Sequence, residues 1–230
     1  MSRKVREDYR DFKSFLSTPI DMDKSFFCEN ESNFFKPVHK YIFSYMNYIH
    51  EINNEEDYLP KESLCYLNES LSDIIQSVHS FSLGMIKPSE LILRSSIENF
   101  IRAISSSMKI DLLEERRIYK LFEESEKMDI FSENTDYFNN LKNSYSNLCR
   151  STHSSLEEHR NISSFDEVNQ FKKSDMPKYV SEINSIIRSY IVLLVKYNPE
   201  FYGGIFFDNR KSIHESLNKL DKKFLFLDTK

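Results

Sequence analysis

The chain has 230 residues and a formal net charge of −5, with 40% hydrophobic and 14% aromatic residues but only 3 Gly and 6 Pro. So few glycines exclude phosphate-cradling glycine loops, nucleophile elbows and tight hairpins, and the mild acidity removes a whole-molecule electrostatic case for duplex binding. Cys28, Cys65 and Cys149 form no CxxC pair, which reads as reduced thiols rather than a disulfide framework or a zinc site.

Helical spacing dominates from the start. Val5, Tyr9, Phe12 and Leu16 form one apolar stripe that Pro19 ends, and polar residues 21–31 read as a loop. A second helix is expected from about Ser32 to Asn53, with Pro37 either in its first turn or marking its true start. The third is the most regular: Leu64, Leu67, Leu71, Ile74, Val78 and Phe81 alternate at +3 and +4, which predicts a leucine-type seam facing the core. Gly84 offers a left-handed cap, and Pro88 opens a fourth helix carrying Leu91, Leu93, Ile97, Phe100, Ile101, Ile104 and Met108. These two make an antiparallel helical hairpin.

A shorter helix is expected from Asp111, as its N-cap, to about Glu124. Asn134-Thr135-Asp136 opens a long helix through Leu141, Tyr145, Leu148 and Leu156, followed by a polar stretch at 161–174 that reads as a loop. Pro177 begins the most apolar helix, to about Tyr197. A last helix is expected from Asp208 to about Phe224, and the best strand-like stretches are Gly204–Phe207 and Phe224–Leu227. The expected fold is an all-α antiparallel helical bundle in one domain, with N-terminal helices in 1–59, a bundle core in 60–197 and a C-terminal helix in 198–230. The apolar run Ile183–Val195 is shorter than the roughly 20 residues of a membrane span, and the N-terminus has no secretory h-region. A soluble, cytoplasmic protein is expected.

The six histidines form no HExxH and no i,i+4 pair with a third carboxylate, so neither a metal nor another cofactor is expected. Two constellations carry chemistry. In Leu93-Arg94-Ser95-Ser96-Ile97-Glu98, Arg94 and Glu98 are one turn apart at the edge of an apolar stripe. They form either a half-buried ion pair or an arginine held toward a cleft for an anion. In the second, Tyr145, Cys149 and His153 follow at i, i+4, i+8 and drift only about 80° around their helix. His153 is either a core histidine bonded to a neighbouring helix, with Glu98 as the nearest candidate, or a residue titrating near neutrality as acid or base. In the second case Arg94 or Arg150 would stabilise negative charge. Arg94, Glu98, Tyr145, Arg150 and His153 are therefore the candidate catalytic residues.

A helix with Arg94-Ser95-x-x-Glu98 after a glycine-terminated helix, then Tyr145-x-x-Leu148-Cys149-x-x-x-His153, resembles bacterial helical proteins related to the HEPN superfamily. The similarity spans about residues 60–197. It implies a four- or five-helix core, a dimeric habit and a setting in toxin–antitoxin or phage defence. Many such proteins are metal-independent ribonucleases, and others are inactive partners. Active members carry an Arg followed, after four to six residues, by a His. Here two residues separate Arg150 from His153, eight separate it from His159, and three separate Arg210 from His214. Three readings follow: a protein acting through protein contacts or as a homodimer, a metal-independent endoribonuclease with RNA as its ligand, and a structural subunit of a larger complex. The last fits the aromatic content, which predicts exposed Tyr and Phe at interfaces.

Overall fold

The structure, a computed structural model, describes residues 6–7, 9–10, 12, 29–55, 58–152 and 175–227. Among them, the regular elements are all helical: α1 (Glu29–Asn53), α2 (Lys61–Ser82), α3 (Ile86–Met108), a 3₁₀ turn (Ile110–Leu113), α4 (Ile118–Glu126), α5 (Asp129–Ser132), α6 (Thr135–Thr152), α7 (Asp175–Tyr197), α8 (Pro199–Gly204), α9 (Phe207–Ser216) and α10 (Lys219–Leu227). The all-α bundle expected from the 3.6-residue period is what forms. No described helix is long and apolar enough to cross a membrane.

Gly84 adopts φ 75° after α2, where its amide donates to Phe81 O (2.9 Å) and the Met85 amide to Ser80 O (3.0 Å). This pair of bonds satisfies the last carbonyls of α2 and turns the chain into α3. The seam between the two helices differs from the expected leucine stripe. Leu67, Ile74, Val78 and Phe81 are buried, but Leu64 and Leu71 are only half-buried and pack at the core's edge. Fully buried small residues run along both helices at sevenfold spacing, Ser63, Ser70 and Ser77 on α2 and Ser89, Ser96 and Ala103 on α3. Small side chains let the backbones approach closely, which displaces the bulkier leucines to the flanks. The buried hydroxyls find partners, as burial requires: Ser63 with Ser106 (2.8 Å), Ser70 with Tyr45 (2.7 Å), and Ser77 with Ser89 O (2.8 Å).

Helix α7 is the axis of the fold. Its residues Ile183, Ile186, Ile187 and Tyr190–Leu194 are all fully buried, against α1, α3, α5, α6, α8 and α10. The run Tyr190–Val195 is apolar on every side of the helix and so must lie inside. Two of its tyrosines stack on the hairpin: Tyr179 on Phe81 with centroids 3.8 Å apart, and Tyr190 on Phe100 at 4.0 Å. Their hydroxyls reach Ser77 (2.6 Å) and Ser96 (3.1 Å). Each tyrosine thus packs as a hydrophobe while its polar tip is satisfied by a serine of the small-residue stripe.

Leu91 and Met108, expected on the apolar stripe of α3, are 47% and 52% exposed, and several boundaries also depart from expectation. Helix α1 begins at Glu29, inside the stretch expected to be a loop, and continues through Pro37. Asp111 does not cap a helix running to Glu124. It lies in the 3₁₀ turn, the chain is extended at Arg117, and α4 starts at Ile118. Arg102 accounts for the break, because its Nη1 donates to the carbonyls of Leu112 (2.9 Å), Leu113 (3.0 Å) and Glu115 (2.9 Å). The expected final helix splits at Leu217–Asn218. There Asn218 and Asp221 cap each other, the Asp221 amide donating to Asn218 Oδ1 (2.8 Å) and the Asn218 amide to Asp221 Oδ2 (3.2 Å). Gly204–Phe207 and Phe224–Leu227 form no strand. Residues 199–204 instead form the short α8, where Asn198 accepts from the Phe201 amide (3.0 Å). Most of the aromatic content is core, and among the described residues the exposed aromatics are Tyr119, Phe206 and Phe207.

Of the expected first helix, Tyr9 and Phe12 are helical, and the buried Tyr9 lies beside His39 with ring centroids 5.2 Å apart. Val5, Leu16 and Pro19 lie outside the described residues, as do His153, Leu156, His159 and the 161–174 stretch.

Candidate functional site

Helices α3 and α6 pack along each other and bring Arg94, Glu98 and Tyr145 together, as their shared position beside the apolar stripes predicts. One carboxylate oxygen is the hub. Glu98 Oε1 accepts from the Tyr145 hydroxyl (3.0 Å) and lies 3.4 Å from Arg94 Nε. The Arg94 guanidinium sits 5.8 Å from the centroid of the Tyr145 ring, and its Nη1 makes a long contact of 3.9 Å with Cys149 Sγ. The Arg94 and Glu98 side chains are 24% and 21% exposed. Arg94 Nε is buried and its approach to Glu98 lacks the alignment of a hydrogen bond, so the attraction there is mainly that of opposite charges.

The electrostatics follow from this geometry. Burial, and then the neighbouring Glu98 carboxylate, raise the Tyr145 phenol well above its ordinary pKa of 10.0. Tyr145 therefore stays protonated and acts as a donor, which makes it a poor base near neutrality. On the opposite flank of α3, Asp73 of α2 accepts from Asn99 Nδ2 (2.8 Å). Burial raises its pKa above 3.8 despite hydrogen bonds from Ser95 and Asn99 that act the other way. Asp73 was not a candidate on sequence, although a carboxylate next to Ile74 on the buried side of α2 is the kind of irregularity that marks such a residue.

Arg150 is not part of the cluster. It is exposed and lines a separate cavity of about 280 Å3 between α3, α6 and α7, whose wall includes Glu90, Lys178, Tyr179 and Glu182 but not Arg94. Two carboxylates and two cations face that space, so no phosphate clamp forms there. His153, the proposed acid or base, lies outside the described residues, one residue beyond the end of α6. Among the described residues, no group of three or more His, Cys, Asp or Glu could hold a metal ion. Arg117 pairs with Glu115 at 3.3 Å beside the start of α4. Lys120 and Arg117 together hold the Glu115 carboxyl down at about 2.

Arg102 and Asp221 are further polar residues with structural roles that the sequence did not single out. Asp221 is buried, accepts from the Tyr137 hydroxyl (2.7 Å) and lies 3.8 Å from Arg188 Nε, which ties α6, α7 and α10 together.

No protein-family model, curated protein or solved structure was found to match the chain. The HEPN resemblance rests on the motifs alone.

Proposed function

We propose that this chain is a HEPN-like helical protein that works through protein contacts, with itself or with a partner, in a bacterial defence or toxin–antitoxin setting. One observation carries the choice of contacts over chemistry. Arg94, one of the two arginines expected to stabilise negative charge, is already engaged by Glu98 and the face of Tyr145 within its own bundle. A carboxylate 3.4 Å from the guanidinium offsets much of its field, which weakens the stabilisation it can give to developing negative charge elsewhere. The cluster then acts as an electrostatic tie between α3 and α6.

The test is incubation of the purified protein with labelled single-stranded and structured RNA in the presence of a metal chelator. The RNA is expected to stay intact with the wild type, with Arg150→Ala and with His153→Ala. Metal-independent cleavage by the wild type, abolished by His153→Ala without a change in melting temperature, would overturn the reading in favour of an endoribonuclease.

A further inference from the structure

Helices α8 and α9 enclose a groove of about 510 Å3 that the polar cluster does not touch. Pro199, Tyr202, Gly203 and Phe207 form its apolar walls. Its remaining lining is Arg210, Lys211 and His214, with no carboxylate among them, in a chain whose net charge is −5. Apolar surface continues past the groove, because Phe206 is 63% exposed and Phe207 is 65% exposed. Tyr202 is 6% exposed and its hydroxyl has no hydrogen-bond partner among the described residues. Arg210 Nη1 donates to Gly203 O (2.6 Å), which positions the guanidinium at the groove while using one of its five donors.

We propose that this groove docks an acidic amphipathic helix of a partner protein. Large apolar side chains of the partner would pack against Tyr202 and Phe207, and its carboxylates would face Arg210 and Lys211. The volume falls within the range of ligand pockets, roughly 300–1,000 Å3. Phe206 and Phe207 extend the apolar surface further than a small molecule needs, as a helix laid in a groove requires. The proposal rests on the protein-contact reading and names where and what that contact is.

The probe is a fluorescein-labelled synthetic helix with Leu and Phe on one face and Glu on the other, read by polarisation against the full chain. A peptide with Lys in place of Glu is the control. The acidic peptide is expected to bind at least about tenfold more tightly than the basic one, with the difference shrinking as salt rises. A Cβ added at Gly203 meets nothing within 4 Å, so Gly203→Leu adds apolar bulk to the groove's lining at little cost to the fold. Gly203→Leu and Lys211→Glu are each expected to weaken the acidic peptide by about tenfold or more, with melting unchanged. Equal binding of the two peptides, or binding insensitive to both substitutions, would overturn the proposal. So would Gly203-dependent binding of dodecanoate with no peptide binding, which would make the groove a small-molecule pocket. Intact RNA with no peptide binding fails the groove alone, whereas RNA cleavage fails the reading beneath it.

Discussion

Above pH 10 the protein is expected to lose its helices in a single cooperative step. Tyr45, Tyr48, Tyr58, Tyr179 and Tyr190 are all buried, and burial raises each phenol above its ordinary pKa of 10.0. Hydrogen bonds between the phenols and Ser70, Ser77 and Ser96 offset this only in part. In the unfolded chain the same phenols ionise near 10, so above that pH the folded state holds more protons than the unfolded one. The stabilisation is complete below pH 10 and declines as pH rises toward the folded-state values. Each tyrosine then removes about 1.4 kcal/mol per pH unit, or about 7 kcal/mol per unit for all five. Against a typical total of about 5–15 kcal/mol, stability is exhausted within about two units. Far-UV circular dichroism and tyrosinate absorbance, followed over about pH 9 to 12, should change together for these residues. Gradual ionisation of buried tyrosines with the helices intact would show that the interior is wetter than the packing implies.

The second large effect concerns the contact between α3 and α7. Phe100 is fully buried and stacks on Tyr190 with an interplanar angle of 12°. Ser96, one turn earlier on α3, holds the tyrosine hydroxyl, so the ring is fixed at both ends. Phe100→Ala would leave a void between two helices that are themselves held by other neighbours, and full collapse of the site is prevented. The expected cost is about 3–5 kcal/mol, which corresponds to a fall in melting midpoint of roughly 10 °C for a domain of this size. Leu71→Ala, at the half-buried edge of α2, is expected to cost less than half as much. Equal costs at the two positions would mean that the leucine stripe, and not the small-residue stripe, faces the core.

That stripe marks how far the sequence could be read. Periodicity locates the long helices, α7 among them, and the one residue that tolerates a positive φ marks the Gly84 turn. It misplaces the centre of α2 because hydrophobicity gives no weight to serine. The spacing of Ser63, Ser70 and Ser77 is as regular as that of the leucines and is the signal that was overlooked. Breaks at residues 114–117 and 217–218 were missed for another reason. The first depends on Arg102, which contributes its donors from a different helix, while the second was legible as an Asn-x-x-Asp cap. Arg94, Glu98 and Tyr145 could be brought together from sequence because each lies beside an apolar stripe and so must point toward a neighbouring helix. Arg150 points elsewhere because it falls on the exposed side of α6, about 140° around the helix from Tyr145. The acceptor-poor groove of α8 and α9 had no such signal, since it depends on how two short helices meet.

Whether Arg94 belongs to the bundle or to a reaction is decided most directly by a double-mutant cycle on Arg94 and Glu98, read by thermal and urea unfolding. With both side chains roughly three-quarters buried, the single changes Arg94→Ala and Glu98→Ala are each expected to destabilise the protein. Glu98→Ala should cost more, because it strands both the arginine and the Tyr145 hydroxyl. The double variant is expected to be more stable than the sum of the two by about 1 kcal/mol, the coupling of a partly buried pair. Additive effects, together with an Arg94→Ala protein as stable as the wild type, would contradict the account and leave the arginine available for chemistry.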